Sequence, residues 1–257
     1  MLSKNKLKQI NALQRKKGRS ENGLFLVEGE KMVDELLTQY FGEGESVYKI
    51  TDLYYTLPWK MNHLDELEDA DFNCEEVTES ELLKISCLSS PNQVLAVVTT
   101  PTKMLKPLDE ELVLMLDGVR DPGNFGTIIR CADWFGIKYI ICSTDCVELY
   151  NPKVVQATMG SIFRVNVIYT DLPAAIQKIR RNNPLKPVYG ASLVGDNIFN
   201  MNLDQNAVLV LGSESHGLRE DVKEMLTREV MIPRFGQGES LNVAIAAAIL
   251  CSEFKRY

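Results

Sequence analysis

Histidine is nearly absent from this chain: His63 and His216 are the only two. The six cysteines form no CxxC pair, and no Cys/His cluster has ligand spacing. That argues against a structural zinc site, and no metal is expected. Cysteines spread this way over 257 residues read as buried, reduced thiols of a cytosolic protein. Long apolar runs are missing too. None approaches the ~18 residues of a membrane span, and the opening Met-Leu-Ser-Lys-Asn-Lys lacks a signal peptide's apolar core. The expectation is a cytoplasmic protein with no membrane attachment. Positive charge is in deficit as well, with a formal net charge of −7. The sum alone speaks against nucleic acid.

The distribution of charge speaks differently. The first twenty residues hold Lys4, Lys6, Lys8, Arg15, Lys16, Lys17 and Arg19 and no acid, whereas Asp65 to Glu81 holds many acids and no Lys or Arg. An acidic protein can still offer one basic surface to phosphates. Ser3 can cap a helix over Lys4–Lys17 with Leu7, Ile10 and Leu13 as a narrow apolar stripe. That helix either packs on its own domain as a solvated amphipathic element or faces RNA. Charge alone does not choose. The candidate RNA contacts are Lys4, Lys8, Arg15, Lys16, Lys17 and Arg19.

What is present is an α/β pattern. The first hundred residues read as a small α/β domain. It has strands near Leu24–Val27, Tyr48–Thr56 and Gln93–Thr100, and helices after Glu28-Gly29 and over Glu79–Ser86. The proline-bearing stretch 101–110 is placed as the linker. From 111 to 257 strands and helices alternate. Strands are expected at Leu112–Leu116, Tyr139–Ser143, Phe163–Tyr169, Val188–Ser192, Val208–Gly212 and Val230–Ile232. Helices are expected at Asn124–Phe135, Pro152–Met159, Leu172–Arg181, Arg219–Thr227 and Leu241–Phe254. This alternation predicts a mostly parallel sheet covered on both faces.

Three glycine-bearing turns stand at the ends of apolar strands or the start of helices, where an open α/β sheet keeps its ligand. In the first, Asn124 is placed as a helix cap, and Arg130 shares a face with Gly126, Thr127 and Asp133. Arg130 either pairs with Asp133, which is worth little, or faces a ligand. The neighbouring turns favour the ligand. In the second, Gly212-Ser-Glu-Ser-His-Gly217 is no nucleophile elbow, because serine falls one place late. It is no phosphate loop either, since no Gly-Lys-Ser/Thr follows. Glu214 there is either satisfied by turn amides or faces a ligand, and His216 is given no chemistry. In the third, Ser240 is a natural cap for the apolar helix that follows. Asn242 is a poor residue for a buried helix unless its amide has partners.

Together, Asn124-x-Gly-x-x-x-Arg130, Leu211-Gly-x-Glu-x-x-Gly-Leu218 and Ile232-Pro-x-x-Gly-x-x-x-Ser-Leu-Asn-Val243 resemble the three motifs of the SpoU (TrmH-type) RNA ribose methyltransferases of the SPOUT class. The resemblance covers the chain from about Val113 onward. More loosely, the first hundred residues resemble the family's small RNA-binding domain. The segment Asn151-Pro-Lys with Ala157 to Gly160 also resembles a family stretch, read as structural. The resemblance implies a trefoil-knotted methyltransferase domain, a homodimer, and S-adenosylmethionine as methyl donor. The donor would be cradled by Gly212, Ile232 and Leu241 with Leu211 and Pro233 nearby. It further implies a catalytic set of Asn124, Arg130, Glu214, Ser240 and Asn242. Arg234 and Phe235 stand where relatives often carry a small or sulfur side chain. The implied activity is methyl transfer to a ribose 2′-hydroxyl of structured RNA, ribosomal RNA favoured over transfer RNA. The alternatives are an inactive RNA-binding or ribosome-assembly protein on the same fold, or methylation of a protein or small molecule.

Overall fold

The computed structural model describes residues 1–42, 46–90, 92–102 and 111–256. The chain divides into two units, Met1–Thr102 with Glu148–Phe163, and Lys103–Val147 with Arg164–Tyr257. Most of the expected linker, residues 103–110, lies outside the described residues.

In the first unit the strands are β1 (Leu24–Glu28), β2 (Ile50–Tyr55), β3 (Asn73–Glu76) and β4 (Val94–Thr99). They form one sheet in the order β1-β4-β2-β3, antiparallel except for the β2–β3 pair. The helices are α1 (Lys4–Ala12), α2 (Lys16–Asn22), α3 (Glu30–Phe41), α4 (Leu57–Lys60), α5 (Leu64–Glu68) and α6 (Glu79–Ile85). Ser3 caps α1 as expected, its side chain accepting from the Lys6 amide. The single helix expected over 4–17 is in fact two, because α1 ends at Leu13 and Arg15 is extended. Ile10 and Leu13 are buried in a core with Leu26, Tyr54, Ile85, Leu95 and Val97. The narrow stripe therefore packs on its own domain, and Lys4 and Lys8 stay exposed on the outer face.

In the second unit the strands are β5 (Val113–Asp117), β6 (Tyr139–Cys142), β7 (Asn166–Tyr169), β8 (Val188–Asn197), β9 (Val208–Gly212) and β10 (Arg228–Met231). They make one sheet in the order β10-β8-β9-β5-β6-β7, with every pair parallel. The remaining helices are α7 (Pro122–Trp134), α8 (Pro152–Thr158), α9 (Leu172–Asn182), α10 (Glu220–Lys223) and α11 (Val243–Phe254). Leu172, Ala175, Ile176 and Ile179 of α9 and Val222 of α10 pack on Val113, Met115, Val208 and Val210. Successive strand residues point to opposite faces, so Leu114, Leu116, Leu209 and Leu211 look the other way. There α7 contacts β6, and α11 contacts both α7 and β9. Strands β5 and β9 are thus apolar on both faces, as a doubly covered parallel sheet requires.

Two differences from the sequence reading have local causes. The helix expected at Arg219–Thr227 is only the short α10, because Thr227 turns back to donate its amide to Val188. The segment containing α8 groups with the first unit. Tyr48 donates to the Ile162 carbonyl at 2.8 Å, and the Phe25 and Tyr150 rings lie 4.4 Å apart between centroids.

Candidate active site

A parallel sheet sends the C-terminal ends of all its strands to one edge. Asp117 at the end of β5 is the register partner of Gly212 at the end of β9, so the first two glycine turns start side by side. The third begins after Met231, where β10 ends.

Asn124 does not cap α7. Asp121 does, its Oδ1 accepting from the Asn124 amide at 2.8 Å, and Pro122 takes the first helical turn. Relieved of capping, the Asn124 side chain reaches the second turn, where Nδ2 donates to Glu214 Oε1 at 2.5 Å. A parallel correction applies to α11. It starts at Val243, and Asn242 is its cap in place of Ser240. Asn242 Oδ1 accepts from the Ala244 and Ile245 amides at 2.9 and 3.3 Å. With Oδ1 committed, Nδ2 must face outward, and it donates to Asn124 Oδ1 at 2.8 Å. One chain of hydrogen bonds, Asn242 to Asn124 to Glu214, therefore joins all three motifs. The Glu214 carboxylate is exposed and sits by the start of α7, where backbone amides and the helix dipole favour negative charge. Ser240 is exposed and makes no hydrogen bond with a described residue.

Arg130 is exposed on α7 and pairs with no carboxylate among the described residues. The expected competitor, Asp133, is engaged by Arg164, whose Nη2 lies 2.8 Å away and whose Nε lies 2.9 Å away. Asn124 thus ties Glu214 and Asn242 to the first turn of the helix that also carries Arg130, and of these four residues Arg130 alone brings a cation, one with no carboxylate partner among the described residues.

The second turn is closed on itself. Ser213 and Gly217 exchange amide-to-carbonyl bonds at 3.1 and 3.0 Å. A Cβ on Gly212 would lie 2.2 Å from the Gly217 carbonyl carbon, and Gly217 itself has φ +66°. Both positions therefore demand glycine. Of the residues expected to hold the methyl donor, Leu211 is buried, Ile232 and Pro233 are half-buried, and Leu241 is 50 % exposed.

Other residues hold these turns and were not singled out in the sequence. Asp117 is 2 % exposed; it accepts from the Arg219 amide at 2.8 Å and pairs with Arg219 Nε at 2.7 Å. It pins the far end of the second turn to the strand that starts the first. The signal was available, since a carboxylate ending a buried strand needs a partner. Nearby, Asp145 accepts from Ser143 at 2.7 Å and pairs with Arg120 at 2.8 Å. The Ser143 hydroxyl and then Arg120 hold its carboxyl below the ordinary range.

Of the candidate RNA contacts, Lys4, Lys8, Arg15, Lys16 and Lys17 are exposed. Arg19 is not available, which corrects its assignment. It is 4 % exposed, with Nε 2.9 Å from Glu148 and Nη1 2.8 Å from the Leu13 carbonyl. Lys6, though basic, is held by Asp52 and Glu75 at 3.3 and 3.2 Å.

The family described as SpoU rRNA Methylase matches residues 111–252, and the MRM3-like substrate binding domain matches residues 4–96. The chain is 29% identical over 246 residues to the 23S rRNA (guanosine(2553)-2'-O)-methyltransferase RlmP of Bacillus subtilis, covering 95% of this chain and 94% of that protein. Among solved structures, a TrmH-family protein from Porphyromonas gingivalis is 38% identical with a TM-score of 0.85, covering 100% of this chain and 99% of the other. An AdoMet-bound rRNA methyltransferase from Sinorhizobium meliloti is 28% identical with a TM-score of 0.84, covering 100% and 96%.

Proposed function

Because this chain belongs to the SpoU rRNA methylase family, we propose that it transfers a methyl group from S-adenosylmethionine to a ribose 2′-hydroxyl of ribosomal RNA. The observation that carries the reading is the hydrogen-bond chain Asn242–Asn124–Glu214, which brings three distant motifs to one sheet edge beside a free guanidinium. The donor's adenosine would be cradled by Leu211, Gly212, Ile232, Pro233 and Leu241. Half-exposed Leu241 offers apolar surface, and the missing Cβ at Gly212 lets Gly217 close the turn against it.

When bound, S-adenosylmethionine supplies an electrophilic methyl on a sulfonium. The chain's own residues then have to align the acceptor and manage its proton. A guanidinium is a poor base, so Arg130 is given the role of hydrogen-bond donor and not of base. It holds the phosphate next to the target ribose and stabilises charge developing on the 2′-oxygen. On transfer the methyl–sulfonium bond would break as the O–CH3 bond forms, a neutral thioether would leave, and the 2′-hydroxyl proton would pass to water. Asn124 and Asn242 fix the turn carrying Glu214, and exposed Ser240 is open to a ligand.

The same reading carries a homodimer and a cytoplasmic location. Trp134 is 84 % exposed and Ile245 51 % exposed on the packed pair α7 and α11, a surface suited to a second copy. The match of residues 4–96 to a substrate-binding domain favours RNA over a protein or small-molecule acceptor.

The test is incorporation of labelled methyl from S-adenosylmethionine into bulk ribosomal RNA, followed by alkaline hydrolysis. A 2′-O-methyl ribose lacks the hydroxyl that cleaves the chain, so the label is expected in alkali-resistant dinucleotides, from a protein sedimenting at twice the chain mass. Cofactor binding with no transfer to any RNA supports the inactive RNA-binding alternative. Label released as mononucleotides places the methyl elsewhere and ends the ribose reading.

A further inference from the structure

Phe235 is 93 % exposed. It stands on the third turn, between Pro233 and the cap Asn242, and no described ring packs on it. Its loop is anchored at both ends. On one side β10 ends at Met231, and on the other Asn242 is tied to Asn124 at 2.8 Å. Arg234 Nη1 donates to the Gly238 carbonyl at 3.2 Å and closes the loop on itself. A Cβ on Gly236 or Gly238 would meet nothing, so the loop on either side of the ring is uncrowded. Asn124 lies six residues before Arg130 on α7, about 9 Å along the axis.

We propose that Phe235 is a stacking platform for the base of the nucleotide being methylated, or of its immediate neighbour. This rests on the proposed methyl transfer to RNA. An aromatic ring held out on a closed, anchored loop at a reaction edge carries no benefit from burial within the chain. An unstacked base offers the flat apolar face that would cover it. The loop's charges, Arg234 and Glu239, cancel, which suits contact with a base and not with the phosphate chain. Arg130 then takes the phosphate while Phe235 takes the base, and the ribose is fixed between two contacts. Stacking reads any π-face, so this contact positions the nucleotide without choosing its identity.

The experiment compares wild-type, Phe235→Ala and Phe235→Trp by RNA KM, kcat, S-adenosylmethionine affinity and sedimentation. Wild-type transfer to RNA is established first; its absence sinks the methyltransferase reading independently of Phe235. With wild-type active, Phe235→Ala is expected to raise the RNA KM by about five- to hundredfold, the range of one lost base–aromatic stack. Cofactor affinity and mass should be unchanged, and Phe235→Trp should restore the KM. An unchanged KM in Phe235→Ala overturns the proposal. So does loss of cofactor affinity, or a fall to half mass, since the ring would then serve the cofactor pocket or a subunit contact.

Discussion

At the scale of single residues, Arg130 owes its freedom to Arg164. Asp133 lies one turn along the same helix and would make a weak surface pair with Arg130, but Arg164 occupies it with two close contacts. A cation left unpaired beside a carboxylate-bearing turn costs the fold little and is ready for phosphate. Arg130→Lys keeps the charge and loses the planar fork. The expected outcome is a fall in kcat of about a hundredfold or more, with unfolding free energy within about 0.5 kcal/mol of wild-type, as for surface substitutions. Single-turnover kinetics and a thermal melt check both, and near-normal turnover would rule out bidentate positioning. Helical spacing made the outward direction of Arg130 legible in sequence. It could not reveal that Asp133 was taken, because Arg164 is 31 residues away. Arg19 was misread for the same reason: its partner Glu148 is separated from it by 129 residues.

At the scale of elements, local rules found most helices and strands of the second unit, because β5, β6 and β9 are continuously apolar and α7 and α9 each have a cap followed by proline in the first turn. They failed where an element is polar or its role is shared. Strand β3, Asn73-Cys-Glu-Glu, is mostly exposed and has no alternation to read. The caps of α7 and α11 were each assigned to a neighbour, since Asp121 and Asn124, or Ser240 and Asn242, are equally good residues for the position. The structural answer gives Asn242 two functions, and they can be separated. Asn242→Ser retains an oxygen for the Ala244 amide but removes the Nδ2 donor to Asn124. Asn242→Ala removes both. Asn242→Ala is expected to cost about 1 kcal/mol, roughly 2–4 °C in Tm, while Asn242→Ser stays within a few tenths. Both should lose most activity. If Asn242→Ser turns over normally, the link between the motifs is dispensable and α11 needs only its cap.

At the scale of the whole molecule, a net charge of −7 and a polyanionic substrate are compatible only if the positive charge is segregated. Five of the basic residues near the N-terminus are exposed, namely Lys4, Lys8, Arg15, Lys16 and Lys17, and Lys17 has only a distant 3.7 Å pairing with Glu21. Arg19 and Lys6 instead hold the fold together. Phosphate binding releases counterions, so each contact adds about 0.7 to 0.9 to the slope of log affinity against log salt. Replacing the five exposed residues with alanine is therefore expected to flatten that slope by up to about 3.5 to 4.5, with little change in Tm. Arg19→Ala should do the reverse. It leaves the slope alone and destabilises by about 1–3 kcal/mol, below the full cost of breaking a buried pair because Glu148 is 22% exposed and can rehydrate. Filter binding to ribosomal RNA across a salt series, with parallel melts, separates the two groups. If the five-residue variant keeps the wild-type slope, the N-terminal cations do not meet phosphate, and RNA must be held by another surface of the chain.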